Sequence, residues 1–191
     1  MASASLAKFS DLLRYQLYEC NDSQIQLRKE IDYLENFIEL EKLRQNNNID
    51  VNVQIDQRYL DQLEIAPFIL MTFVENAFKH VSKDSDKHNW ITIKLKNSPE
   101  QLLFSVSNSV SGNKSTDVVS YGGIGLKNVK RRLDLIYPDQ YELDIQSSTE
   151  SFEVKFKLQL TESAFSKDVQ KTRQLETEII NQEEFIIPIK N

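Results

Sequence analysis

The sequence predicts an α+β fold: a two-layer α/β sandwich, with a mixed sheet covered by helices on one face, preceded by N-terminal helices. Three observations predict it. Stretches in which apolar and polar residues alternate come in neighbouring pairs, at 90–96 with 102–108 and at 141–147 with 152–160. Between and before these pairs lie stretches with apolar residues three and four apart, at 67–81 and 125–137. Helical spacing also fills two stretches before them, at 6–20 and 24–45. Helices that alternate with paired strands bury their apolar stripes against the sheet those strands make.

Residues 6–20 read as a helix from Leu6, Phe9, Leu13 and Leu17, and Asn21-Asp22-Ser23 breaks it. From 24 to 45 the spacing returns. Leu27, Ile31, Leu34 and Ile38 make one stripe, and Tyr33, Phe37 and Leu40 begin a second beside it. Two stripes suit a helix packed on its own domain with one face and on a partner with the other; one wide core-facing stripe is the alternative. After Asn46-Asn47-Asn48, Val51, Val53 and Ile55 alternate as a strand. Residues 59–65 are short and mixed. Pro67 is placed in the first turn of the next helix, where its missing N–H costs nothing. Residues 83–89 form a charged loop, and 97–101 a turn between two strands. Residues 109–121 have no periodicity and many small polar side chains, which marks a loop of about a dozen residues, a length that is usually either functional or disordered. Residues 125–137 are helical through Leu126, Val129, Leu133 and Ile136. In the last segment, Phe165, Val169, Leu175 and Ile179 allow a helix. The run from Phe185 to Ile189 allows an edge strand around Pro188. Three regions follow: 1–46 helical, 47–160 the sandwich, and 161–191 an extension of unassigned role.

Composition narrows the function. The chain has 191 residues, 40% hydrophobic and 27% charged, which is a globular rather than a disordered profile. A net charge of -6 opposes binding to phosphate polymers, so general nucleic-acid binding is excluded. One cysteine, Cys20, excludes an intrachain disulfide and a multi-cysteine zinc site, and two histidines, His80 and His88, exclude a histidine-rich metal centre. No apolar run approaches the ~20 residues of a membrane span. The opening residues do not read as a signal peptide. The chain reads as a cytoplasmic piece, and such a piece can be cut from a membrane-anchored parent.

Two clusters carry chemistry. In the segment 73–80, Asn76, Lys79 and His80 stand at i, i+3 and i+4 on one helix face. An amide oxygen can complete a Mg²⁺ shell, and a lysine can meet phosphate oxygens. The competing account is a helix end leaving the core, with Lys79 paired to Glu75. The second cluster is Gly122-Gly123-Ile124-Gly125-Leu126-Lys127-Asn128, which holds three of the four glycines in the chain. Glycines opening a helix make an anion site from unbonded N–H groups and the helix dipole. A tight turn would use the same residues. Neither a Walker motif nor a Rossmann fingerprint is present.

Together these motifs resemble the ATP-binding domain of sensor histidine kinases, in the wider family of gyrase, Hsp90 and MutL, and most of all the LytS-type sensor kinases. The resemblance covers about residues 6–160. Its carriers are the run Ser10-Asp11-Leu12-Leu13-Arg14-Tyr15, the segment 34–44, Pro67, the segment 74–80, the segment 123–129, Arg132-Leu133 and Tyr137.

The resemblance implies ATP and Mg²⁺ as ligands. It implies Asn76 as the Mg²⁺ ligand, and Lys79 and His80 near the phosphates. Gly123, Ile124, Gly125, Leu126, Lys127 and Asn128 form the second glycine box, and 109–121 the lid over the nucleotide. Asn108 stands where most members carry an adenine-binding aspartate. It accepts a hydrogen bond without a charge. The glycine usual two residues on is Val110. Thr72 occupies the general-base position of gyrase-like members and cannot act as a base. Implied partners are a response regulator and a second copy of the full-length protein. No residue of this chain is expected to be the phosphoacceptor: the family's acceptor histidine lies upstream of the Leu12-Leu13-Arg14-Tyr15 segment, and the chain reads as truncated short of it. The function expected is the ATP-binding catalytic fragment of a two-component sensor histidine kinase. Two other classes remain: a degenerate non-catalytic interaction module, and an anti-sigma-type serine kinase.

Overall fold

The computed structural model describes residues 9–10, 13–17, 22–45, 48–84, 86, 88–111 and 124–160. Seven strands are described: β1 Ile25–Gln26, β2 Asp50–Ile55, β3 Glu64–Ile65, β4 Trp90–Ser98, β5 Gln101–Ser109, β6 Tyr141–Ser147 and β7 Ser151–Gln159. Three helices join them: α1 Leu27–Arg44, α2 Ile69–His80 and α3 Ile124–Ile136. Residues 13–17 are also helical.

The main sheet runs β2-β4-β5-β7-β6. The β2–β4 pair is parallel and the other pairs are antiparallel, so the sheet is mixed as expected. Alternation sends Ile91, Ile93 and Leu95 of β4, Leu102, Phe104 and Val106 of β5, and Val154, Phe156 and Leu158 of β7 into the core. Lys94, Lys96, Leu103 and Lys155 face water on the other side. The helices supply Leu27, Ile31, Leu34 and Ile38 from α1, Ile69, Phe73, Val74 and Phe78 from α2, and Leu126, Val129 and Leu133 from α3 to the same core. Phe73 bridges the layers, with ring centroids 6.4 Å from Phe104 and 5.6 Å from Phe156.

The second stripe of α1 is covered within the chain. Tyr33 stacks on Tyr15 of the upstream helical segment at 4.3 Å, and Phe37 meets Phe78 edge to face at 5.8 Å. Two departures from the expected elements are local. Gln24–Gln26 is not helical: β1 and β3 pair as a two-stranded ribbon, Ile25 opposite Ile65. Strands this short leave no alternation to detect. Pro67 is also not in the first helical turn. Phe68 is the N-cap of α2, in a left-handed conformation at φ 61°, and Pro67 precedes it. Residues 161–191 lie outside the described residues, so the expected helix and edge strand there do too.

Candidate functional site

The apolar face of α2 fixes what remains for chemistry. Ile69, Leu70, Phe73, Val74, Ala77 and Phe78 are buried, which leaves Thr72, Asn76, Lys79 and His80 as a stripe one and two turns apart. Lys79 is exposed, while Asn76 and His80 are half-buried. The alternative pairing is not formed: Glu75 makes no ion pair with Lys79. The Glu75 residue is exposed overall, but partial shelter of its carboxyl, with the charge of Glu41 adding, raises it above the ordinary carboxylate range. The hydroxyl of Thr72 donates to the Phe68 carbonyl at 2.8 Å, which ties it to its own helix.

The start of α3 lies against this stripe. A methyl group built on Gly125 would meet the Thr72 side chain at 3.9 Å, which is ordinary contact. Gly125 is in the helix, is exposed and has no positive φ, so neither turn geometry nor crowding inside the chain demands glycine there. The bare surface it leaves suits the close approach of another molecule. Lys127 and Asn128 are exposed in the same first turn. No acidic residue occupies that turn to satisfy the helix dipole. The Leu126 side chain is buried in the core, so a contact from this position to a ligand would come from its backbone. Gly122, Gly123 and most of the expected lid, 112–121, lie outside the described residues; of Ile124 only its place in the helix is described.

The remaining residue expected at the site, Asn108, lies near the end of β5. Asn108 is fully buried; its amide nitrogen donates to the Ser109 carbonyl at 2.9 Å, while its Oδ1 has no partner. A buried acceptor without a donor is uncommon and costly. Ser109, expected to open the loop, is the last residue of β5. Its carbonyl accepts from the Ser82 N–H at 2.8 Å, and Ser82 Oγ lies 3.0 Å from Ser111 Oγ. These bonds clamp the end of α2 to the end of β5, and so fix Asn76 relative to Asn108. Val110 donates its N–H to the Glu150 carbonyl at 2.9 Å, packs against the core and has an ordinary φ, so the chain has no need of glycine there.

Sequence reasoning missed the groups that hold the start of α2. The helix has no cap from its own N-cap side chain and no acidic residue in its first turn. Glu30 of α1 supplies the acceptor instead, to the N–H groups of Phe68, Leu70 and Met71 at 2.9, 3.1 and 3.3 Å. The Tyr137 hydroxyl accepts from the Ala66 N–H at 2.7 Å, and Arg132 donates to the Pro67 carbonyl at 3.0 Å. The available signal for Glu30 was a charge embedded among Leu27, Ile31 and Leu34. His88 is remote from the stripe, exposed, with Nε2 3.5 Å from Asp50. The depression of about 490 Å³ beside His88, Lys42 and Ile49 carries none of the site groups. Among the described residues, no cluster of His, Cys, Asp and Glu could hold a metal and no helix is long and apolar enough to cross a membrane.

Comparison with known proteins gives a consistent picture. Residues 1–49 match the family described as histidine kinase, and residues 60–159 the family described as GHKL domain. The sensor protein LytS of Staphylococcus saprophyticus is 30% identical over 159 residues, 78% of this chain and 27% of that protein. The LytS protein of Staphylococcus epidermidis is 31% identical over 153 residues, 75% of this chain and 26% of that protein. The chain thus spans about a quarter of the length of these curated relatives. Among solved structures, the histidine kinase domain of a blue-light-activated kinase from Erythrobacter litoralis superposes with a TM-score of 0.53 at 16% identity, covering 83% of this chain and 74% of that one. The catalytic domain of the histidine kinase ThkA gives 0.51 at 18%, covering 72% and 97%. At such identities these two speak for the fold.

Proposed function

Because the chain belongs to the GHKL family, as the catalytic region of a LytS-type sensor histidine kinase, we propose that it binds magnesium-ATP between α2, the start of α3 and the end of β5. The observation that carries this is the closeness of Thr72 to Gly125, where an added methyl group would lie 3.9 Å from the Thr72 side chain, so the polar stripe of α2 stands beside the first turn of α3. The donor set fits the ligand. The Asn76 amide oxygen is a hard ligand of the kind Mg²⁺ takes. Lys79, Lys127 and the α3 dipole are cationic partners for phosphate oxygens. The unpartnered Oδ1 of Asn108 is an acceptor suited to the adenine amino group.

Bound Mg²⁺ would neutralise charge on the phosphates; the protein's part is positioning and electrostatics. Thr72, with its hydroxyl committed to Phe68, offers no base for water, which disfavours hydrolysis. The γ-phosphate would pass to a histidine of the longer protein and from there to a response-regulator aspartate. His80 lies on the binding stripe and His88 is remote from it, so neither is assigned as acceptor. Pairing of two full-length copies and membrane anchoring of the parent belong to the same reading.

Calorimetry of the 191-residue chain with ATP and ADP tests it. Heat is expected with magnesium and much less with a chelator. No heat and no thermal shift at millimolar nucleotide refutes it, and would favour the interaction-module alternative.

A further inference from the structure

The start of α2 is held from outside the sheet, by a side chain that no local rule of helix capping would select. Glu30 is fully buried in α1. Its Oε1 accepts from the N–H groups of Leu70 and Met71, and its Oε2 from that of Phe68. The fourth donor is the hydroxyl of Tyr15, at 2.7 Å, from the helical segment upstream of α1. Burial pushes the Glu30 carboxyl above the ordinary range, and the four hydrogen bonds pull against that. Phe68, left-handed without being glycine, is kept there by its edge contacts with Tyr15 at 5.3 Å and Tyr33 at 5.5 Å. One carboxylate therefore joins three segments: residues 13–17, α1 and the first turn of α2. Asn76, Lys79 and His80 stand two to three turns along that same helix.

We propose that Glu30 is a positioning residue for the nucleotide site, and that the Tyr15 hydroxyl makes the placement of Asn76 and Lys79 responsive to the position of the upstream helical segment. The inference rests on the nucleotide reading above for its consequence, but the coupling itself is a property of the unliganded chain. Movement of the upstream segment removes the Tyr15 donor and the edge contacts on Phe68 together. The first turn of α2 then loses part of its cap. The adenine side, built on β5 and clamped through Ser82 and Ser109, is not part of this junction.

Tyr15→Phe is the primary variant, since it deletes the hydroxyl and keeps the ring. Glu30→Gln is the second, and Tyr33→Phe the control: the Tyr33 hydroxyl accepts from Gln16 at 2.8 Å and makes no bond to Glu30. In the full 191-residue chain, Tyr15→Phe is expected to shift the NMR signals of the Asn76 and Lys79 amides while those of Asn108 and Ser109 stay put. It should weaken magnesium-ADP binding roughly three- to tenfold, the scale of one lost cap bond, and leave adenosine binding unchanged. A purely structural role for the bond would weaken both ligands alike. Unmoved Asn76 and Lys79 signals in Tyr15→Phe overturn the proposal, whether or not nucleotide binds. Equal losses for ADP and adenosine overturn it as well. Failure of the unmodified chain to bind ADP overturns the nucleotide reading instead, and the amide shifts then decide the coupling alone. Should Glu30→Gln fail to fold, Tyr15→Phe still decides.

Discussion

Asn108 is the position at which the structure makes the sharpest demand on a ligand. Its side chain is fully buried, half of the amide is satisfied by Ser109, and Oδ1 is left without a donor. An unpaired buried acceptor costs about 1–3 kcal/mol, and a ligand that brings an N–H recovers much of it. The adenine amino group is such a donor. The inosine base carries a carbonyl there, which would set acceptor against acceptor. ATP should therefore bind tighter than ITP by about 1.5–3 kcal/mol, or roughly 10- to 100-fold. Asn108→Ala removes the acceptor and should bring the ratio to within about threefold, mainly by weakening ATP. Asn108→Asp is a harder case than the family pattern suggests. One carboxylate oxygen would replace the nitrogen that donates to the Ser109 carbonyl, so the unliganded protein would hold a buried charge against a carbonyl. A loss of about 3–5 kcal/mol in stability is expected for an uncompensated buried charge, alongside a stronger preference for adenine over inosine. Competition of ATP and ITP against a fluorescent nucleotide, with a thermal melt of each variant, measures both effects. Equal affinity of the unmodified chain for ATP and ITP, or a preference that survives in Asn108→Ala, refutes the assignment.

Three further outcomes are expected. Asn76→Ala should abolish the difference between calorimetric titrations with magnesium and with a chelator; an unchanged magnesium dependence would place the ion elsewhere. Tyr137→Phe leaves the Ala66 N–H without its 2.7 Å acceptor, which should cost about 1–3 kcal/mol. At roughly 2–4 °C per kcal/mol this is a visible drop in melting temperature, and a melt within a degree of the unmodified chain would show that the bond contributes nothing. The Asp56 carboxyl is lowered to about 2, first by hydrogen bonds from the Arg58 guanidinium at 2.6–3.1 Å and then by the Arg58 N–H. A lowered carboxylate stabilises the fold above its ordinary range, and that contribution fades as pH falls toward about 2. The pair is exposed, so the effect on stability is small. The NMR titration midpoint is the useful readout: it should rise toward the ordinary carboxylate range in Arg58→Ala, stopping short of it because the N–H of residue 58 remains, and an unmoved midpoint would assign the shift to another group.

What the sequence made legible follows from which physical signals are local. The strands β4, β5, β6 and β7 could be read because one face of each is buried, or half-buried in β6, and the other is wet, so alternation writes itself into every second residue. The helix α2 could be read for the same reason at its own period. The polar stripe Asn76, Lys79 and His80 emerged as the residue of that burial. The ribbon of β1 with β3 could not be read, because two-residue strands show no period. The capping of α2 was equally silent. Its acceptor comes from Glu30, its other anchors from Arg132 and Tyr137, and none of these lies near Phe68 in the chain. Pro67 was misplaced for that reason: the rule that puts proline in a first turn assumes a local cap, and this helix has a remote one. Leu126 stands in the motif and also in the stripe with Val129 and Leu133, and that stripe already marked its side chain as core.

The two ends of α2 are fixed by different parts of the molecule. At its C-terminal end, Val81 N–H bonds back to Ala77, and Ser82 is bonded to Ser109 of β5, so that end moves with the sheet. At its N-terminal end the partners are Glu30 of α1, through it Tyr15 of the upstream segment, Arg132 of α3 and Tyr137 just beyond α3. A disturbance entering along the upstream segment therefore reaches the first turn of α2 before it reaches any group of β5. Along the helix, the residues with phosphate and metal chemistry stand between the two anchors, while Asn108 sits on the sheet side of the second. Backbone bonds fix the strand end that carries Asn108 and Val110, so the proposed adenine contact is separated from whatever moves the start of α2. On the proposed nucleotide reading, retention of the base and placement of the phosphates can then be tuned independently, because the two depend on different anchors of α2.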